Sequence, residues 1–414
     1  MTQLDTNTLE LARDQTLGLV AGISDDDLER VHSPLMSPLV WDLGHIAAFE
    51  DLWLAHRHGG LELLRPDLMD VYDAFETPRA DRGRLPYLHH AEAEEFLTDV
   101  RLRVRDLDLP EGPIHDLVER HERQHGETML QTLNLARIAR PRRPGEPAGP
   151  GVSERNGRGG MTGLDLVDVP GGTFPLGAGS EGFAYDNERP RHSVERRAFR
   201  IGRVAITNGD WLSFVHDGGY SRREWWTADG WAWREAEGIV RPLNWLTDEL
   251  EWRLADGATP IDPHRPVVHI SWHEADAFAR ARGVRLPSEV EWEMAATWDG
   301  RNRIDGGWSH ANLVENGVLG TVAAGATPQD AAPCGALGMI GDVWEWTSSD
   351  FRAYPGFVAH PYREYSEVFF GPDYKVLRGG SFATSSRVIT PSFRNWDHPH
   401  RRQIFAGLRV AADA

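Results

Sequence analysis

Cysteine is almost missing from this chain: one residue, Cys334, stands among 414. No internal disulfide can form, which points away from a disulfide-built extracellular fold. Basic residues are also in deficit, with 44 Lys and Arg against 63 Asp and Glu and a formal net charge of -19. That balance argues against a general affinity for nucleic acid or for an anionic membrane. No apolar run approaches the roughly 20 residues that a membrane span requires, and no basic stretch leading into an apolar signal segment opens the sequence. The expectation is a cytoplasmic protein that acts on small polar or cationic molecules and has no obligate protein partner.

The length suits two or three domains rather than one core. Leu9 to Ile23, Pro38 to His58, Ala91 to Leu107 and Pro113 to Arg140 repeat apolar residues at three- and four-residue spacing, which predicts an antiparallel four-helix bundle over residues 1–140. Residues 141–163 are rich in Pro, Gly and Arg without periodicity and read as a linker. Residues 164–414 change texture to short β-prone runs, Gly and Pro turns and dense tryptophan, with helices expected from Trp272 to Arg282 and from Pro287 to Trp298. The fold class expected is α+β multidomain.

The stretch His121-Glu-Arg-Gln-His125 carries the clearest chemistry. Two imidazoles four residues apart on a helix project from one face and can hold one metal ion, and Gln124 shares that side. His45 lies on a second bundle helix among apolar neighbours in Trp41-Asp-Leu-Gly-His-Ile-Ala-Ala-Phe49, which makes it the third ligand candidate. His56, His58, His89, His90 and His115 read as solvated residues near helix ends or loops. Three neutral imidazoles leave coordination positions open, for hydrolytic zinc or for iron(II) that must also admit substrate and oxygen. The same five residues match the H-E-x-x-H pattern of zinc peptidases, with Glu122 as general base, but Thr128 and Gln131 occupy the positions where the extended form of that motif has Gly and His.

Beyond the linker, Phe183 to His192, Pro266 to Trp272, Arg285-Leu-Pro-Ser-Glu-Val-Glu-Trp-Glu293, Gly341-Asp-Val-Trp-Glu-Trp346, Leu377-Arg-Gly-Gly-Ser-Phe382 and Gly407-Leu-Arg409 follow one another. This series resembles the formylglycine-generating-enzyme (sulfatase-modifying-factor) domain, a C-type-lectin-like fold. Formylglycine generation relies on paired cysteines, so one cysteine sets that activity aside. The bundle with His45, His121 and His125 resembles the DinB-like metal-binding bundles. Together the two parts are similar to the ergothioneine-pathway sulfoxide synthases over nearly the whole chain. The resemblance implies iron(II) on His45, His121 and His125 without a carboxylate ligand, and leaves Glu122 on the helix surface or behind the ligands. It also implies oxygen-dependent joining of a thiol sulfur to the imidazole C2 of hercynine, with a sulfoxide as product.

The resemblance further implies roles for other residues. Tyr362 is the first choice for the catalytic donor of a proton or hydrogen atom, with Tyr365 a companion hercynine contact; which of the two acts stays open. Gln124, Asn395 and Trp396 are the other hercynine candidates, the indole for the trimethylammonium group and the Asn395 amide for the carboxylate. Arg79, with Arg82 in reserve, lies in an expected loop between bundle helices and serves the thiol donor together with Asp397 and Arg401. Two cations for two carboxylates favour γ-glutamylcysteine as donor over free cysteine. The alternatives are free cysteine itself, a selenoneine-forming homologue, the zinc peptidase, and a non-catalytic ligand-binding or thiol-stress bundle. Ovothiol-forming relatives carry an added methyltransferase domain and only five residues follow Arg409, so that activity is not expected.

Overall fold

The computed structural model describes residues 6–107, 109, 112–140 and 161–414. Most of the expected linker, residues 141–160, lies outside them. The chain separates into two compact units, Met1–Arg140 and Pro141–Ala414.

The first unit is helical. Helices α1 (Thr6–Val20), α2 (Asp25–Glu29), α3 (Leu39–Glu50), α4 (Arg79–Arg82), α5 (His90–Asp106) and α6 (Pro113–Ala136) follow in order, and α3 runs directly into a π-helical stretch, Asp51–His58. The four long segments are those that the periodicity predicts. The last ends earlier than Arg140 because Arg137 turns left-handed at φ 54° and closes it. Helix α3 is buried along nearly its whole length, as its apolar sequence dictates.

Four charges stitch the long helices together at their centre. Arg13 of α1 and Arg101 of α5 each bond both Glu50 of α3 and Glu122 of α6, at 2.7–3.3 Å, and all four side chains are buried. Burial opposes the ionisation of Glu50, but Arg101 and Arg13 overcome it and hold the carboxyl below its ordinary range.

The second unit mixes short strands, short helices and long loops. Strands β1 (Leu166–Val169), β2 (Gly172–Leu176), β3 (His192–Arg196) and β4 (Phe199–Gly202) lead to helices α7 (Asn208–His216) and α8 (Ala228–Ala236) and to the hairpin β5 (Leu250–Arg253) with β6 (Gly257–Pro260). Helices α9 (Trp272–Ala281) and α10 (Glu289–Thr297) fall on the two predicted segments, each started by a Ser capping box. Strands β7 (Trp344–Phe351), β8 (Gly371–Arg378), β9 (Asn395–Asp397), β10 (Ala406–Leu408) and β11 (Ala411–Asp413) complete the unit. The largest sheet has the order β10-β7-β8-β9, with β10 parallel to β7 and β9 on one edge.

Fully buried arginines hold the loops in place. Arg409 is bidentate on Glu345 and also donates to the carbonyls of Gly202 and Leu337. Arg394 is bidentate on Glu289 at 2.8 and 3.0 Å, and Arg378 pairs with Glu293. Trp292 Nε1 adds a 2.7 Å bond to Glu345. Each pair satisfies a buried charge and several loop carbonyls at once, which irregular backbone cannot do for itself.

Candidate metal centre

His45, His121 and His125 come together in the first unit: one nitrogen from each lies within 4.8 Å of the others. Helix α6 sets two of them one turn apart, and the buried α3 turns His45 toward them. His45 Nε2 and His121 Nε2 are 3.0 Å apart, close to the separation of two nitrogens that share one ion at about 2.1 Å each.

Hydrogen bonds behind the rings fix which nitrogen faces the centre. His45 Nδ1 donates to the Tyr72 carbonyl at 2.6 Å. A carbonyl can only accept, so the proton is on Nδ1 and the Nε2 lone pair points inward. His125 Nδ1 lies 3.1 Å from Asp42 Oδ1, with the same consequence for an ionised carboxylate. Burial, together with the neighbouring His125, pushes His45 and His121 well below the usual imidazole range. Both rings are therefore neutral donors at physiological pH. His45 stacks on Trp41 with centroids 5.0 Å apart, and Phe49 stacks on His121 at 3.6 Å. Three imidazole nitrogens converging beside Trp41 and Phe49 fit a divalent cation, and no carboxylate belongs to this group among the described residues.

In the second unit the structure brings the two candidate segments together. Tyr365 stacks face to face on Tyr185 at 4.6 Å, while Tyr362 meets it edge-on at 6.1 Å and Trp396 does the same at 6.1 Å. Asn187 Nδ2 donates to Ser366 Oγ at 3.0 Å, and Ser366 Oγ donates to Asp186, which anchors the tyrosine loop from behind. These supports lie in the Phe183 to His192 stretch that marks the resemblance, but nothing in the sequence assigns them this task.

Asn395, Trp396 and Asp397 lie on the edge strand β9. Alternation puts Trp396 on one face and Asn395 with Asp397 on the other. Trp396 stacks on Phe351 at 4.1 Å. Asp397 Oδ1 is 3.6 Å from Arg401 Nε, yet Nε and Nη1 of Arg401 are buried without a hydrogen-bond partner among the described residues.

Comparison with known proteins decides the family. Residues 8–159 match the DinB superfamily and residues 152–414 the sulfatase-modifying factor enzyme 1-like domain. A hercynine oxygenase of Mycolicibacterium thermoresistibile is 47% identical over 97% of this chain and 93% of its own length. The hercynine oxygenase of Mycolicibacterium smegmatis is 45% identical over 98% of this chain and 97% of its own. The chain belongs to the hercynine oxygenase family. The formylglycine-generating enzyme of Streptomyces coelicolor, 32% identical, matches 60% of this chain and 89% of its own length.

Within this hercynine oxygenase family member, Glu122 requires a correction. The sequence reading left it on the helix surface or behind the ligands, but it is buried, and its carboxylate is held by Arg13 and Arg101 in the four-charge cluster. It lies about 100° around the helix from His121 and faces α1 and α5. Committed to two guanidinium groups, it is not available as a peptidase base. Arg79 and Arg82 sit on the one-turn helix α4 rather than in a loop. Arg82 is buried, donates to the carbonyls of Thr77 and Ala74 and to Ser37 Oγ, and lies 3.9 Å over Trp41. Arg79 is half-buried and makes two long contacts through Nη1, 3.4 Å to the Leu35 carbonyl and 3.9 Å to Met36 Sδ. Asp42 and the Tyr72 carbonyl, which orient two of the three imidazoles, were not predicted. Asp42 left a signal, as a buried acid one turn before a histidine on an apolar helix; a carbonyl leaves none.

Proposed function

We propose that this protein is an oxygen-dependent, iron(II) sulfoxide synthase that joins the sulfur of γ-glutamylcysteine to the imidazole C2 of hercynine. The observation that carries the reading is the group of three imidazoles with no carboxylate among them, in a chain nearly half identical to hercynine oxygenases along its length. In the overall reaction C2–H and S–H bonds are lost and C–S and S–O bonds form. One atom of oxygen enters the sulfoxide and the other leaves as water, so two two-electron oxidations match the four electrons that O2 accepts.

Iron(II), when bound to His45, His121 and His125, supplies the open positions at which oxygen and the sulfur are activated. The chain's own groups do the rest. Gln124, on the ligand side of α6, orients the hercynine ring. Trp396 attracts the trimethylammonium group and Asn395 binds the hercynine carboxylate; on a strand these two side chains are reached together only along the open edge of β9. The Arg401 donors that lack a partner suit a carboxylate of the thiol donor, since buried N–H groups left unmet cost about 1–3 kcal/mol each. Asp397 takes the donor's ammonium and Arg79 its second carboxylate. Arg82 is engaged by the protein itself, which favours Arg79 for that role.

Tyr362 donates the proton, or hydrogen atom, that directs the reaction toward sulfoxide, with Tyr365 held rigid beside it by Tyr185. The test is anaerobic loading with iron(II), addition of hercynine with either γ-glutamylcysteine or cysteine, exposure to oxygen and mass analysis of the products. A γ-glutamyl-hercynylcysteine sulfoxide formed in preference to the cysteine product supports the reading; turnover with zinc and no oxygen overturns it. The Tyr362→Phe variant is expected to divert product toward the thiol sulfinate. An unchanged product ratio removes Tyr362 from the role.

A further inference from the structure

Asp42 is an acid in direct contact with the metal-binding group, and no part of the reaction outlined above uses it. It sits one turn before His45 on α3 and is fully buried. Its Oδ1 meets Nδ1 of His125, which comes from α6, while its Oδ2 is buried without a hydrogen-bond partner among the described residues. A buried carboxylate ordinarily has all its oxygens satisfied, because an unmet one carries most of the desolvation cost of the charge. Arg82 feels the charge of Asp42: burial pushes that guanidinium down to about 10, with Asp42 acting in the opposite direction. Arg82 donates its hydrogen bonds elsewhere, to Thr77, Ala74 and Ser37.

From this geometry we infer that Asp42 is a positioning residue that completes the charge of the metal centre from behind His125. Imidazole ligands carry no negative charge, so a divalent ion among them would keep its whole charge in a partly buried site beside Trp41 and Phe49. Many iron(II) oxygenase sites meet that charge with a directly coordinated carboxylate. Here the carboxylate stands one ring further out and acts through the imidazole. It holds the Nδ1–H tautomer, raises the basicity of Nε2 and places one negative charge next to the ion without occupying a coordination position. The position left open by this arrangement is then available to a second substrate group. The inference rests on the metal reading of the three histidines.

The test is titration of the full-length apoprotein with iron(II) alone, under anaerobic conditions and against a competing chelator. Wild type, Asp42→Asn, Asp42→Leu and His125→Ala are compared, with circular dichroism confirming that each is folded. Asp42→Leu is expected to weaken iron binding by about 10–100-fold. Asp42→Asn, which keeps an acceptor for His125 and loses the charge, is expected to lie between Leu and wild type. A second readout separates charge from shape: the iron(III)/iron(II) potential rises in Asp42→Asn, because removing a nearby anion disfavours the higher charge. Folded Asp42 variants that bind iron as wild type does, with an unchanged potential, overturn the inference and leave the metal site standing. If wild type and His125→Ala both fail to bind iron, the metal reading itself has failed.

Discussion

The two units solve the problem of placing functional groups in opposite ways. In the first, regular helices do the placing: α6 spaces His121 and His125, α3 presents His45, and a single cluster of four charges locks the helices in register. In the second, little backbone is regular, and side chains such as Tyr365 and Arg401 depend on loops pinned by separate buried Arg–Glu pairs. Where the backbone repeats, chemistry follows from spacing. Where it does not, chemistry depends on polar bonds distant in sequence. The first unit should therefore lose function without losing its fold, and the second should tend to lose both together.

The largest effect expected is at His121. His121→Ala removes one imidazole from a preformed helix, so iron binding and sulfoxide formation should fall to background while the helical circular dichroism stays. Loss of helix with loss of metal would break the comparison. Next comes Arg409→Met, which leaves the buried Glu345 with Trp292 as its remaining side-chain donor. A cost of about 3–5 kcal/mol is expected in denaturant unfolding. Arg13→Met, which leaves Arg101 beside both carboxylates of the helical cluster, should cost less; equal costs would show that the two kinds of network are alike.

A smaller effect is expected at Gly44. A Cβ there would lie 2.2 Å from the Tyr72 ring, and Tyr72 supplies the carbonyl that orients His45. Gly44→Ala should shift that carbonyl and weaken iron binding by about tenfold, at a packing cost of about 1–3 kcal/mol. The smallest belongs to Glu251 of β5, whose carboxyl is pushed up to about 7 by burial. The folded state then holds its proton more tightly than the unfolded one, so stability falls as pH rises from about 4.5 to 7 and levels off above that. Glu251→Gln should flatten this slope by on the order of 1 kcal/mol, measured as unfolding free energy at pH 5 and pH 8.

The same contrast explains what could be read in advance. The helices of the first unit and the histidine pair follow from periodicity, and their boundaries differ from the prediction only where caps intervene, as at Arg137. The burial of Glu122 leaves no mark in the five-residue motif, because its side chain points away from the histidine face toward Arg13 and Arg101. The pairing Arg13, Arg101, Glu50 and Glu122 spans four helices and has no local trace. In the second unit the marker stretches were recognisable before their purpose was. Arg285 to Glu293 and Leu377 to Phe382 are joined through Glu293 and Arg378, and Gly341 to Trp346 and Gly407 to Arg409 through Glu345 and Arg409. The recurring motifs of this domain are in good part the two halves of buried ion pairs. The arrangement of β9, with Trp396 and Asn395 on opposite faces, became visible only with the strand itself.

One feature of the first unit reaches beyond its geometry. The imidazole of His45 lies flat on Trp41, and that indole also carries the Arg82 guanidinium at 3.9 Å. His125 instead has an anion behind it, and His121 the apolar face of Phe49. His45 is polarised by the Tyr72 carbonyl on its Nδ1–H while it lies beside an indole that carries a cation, His125 is polarised by a carboxylate, and His121 rests against an apolar ring. Three identical side chains thus stand in three different surroundings, and the protein sets that difference before any ion or substrate arrives.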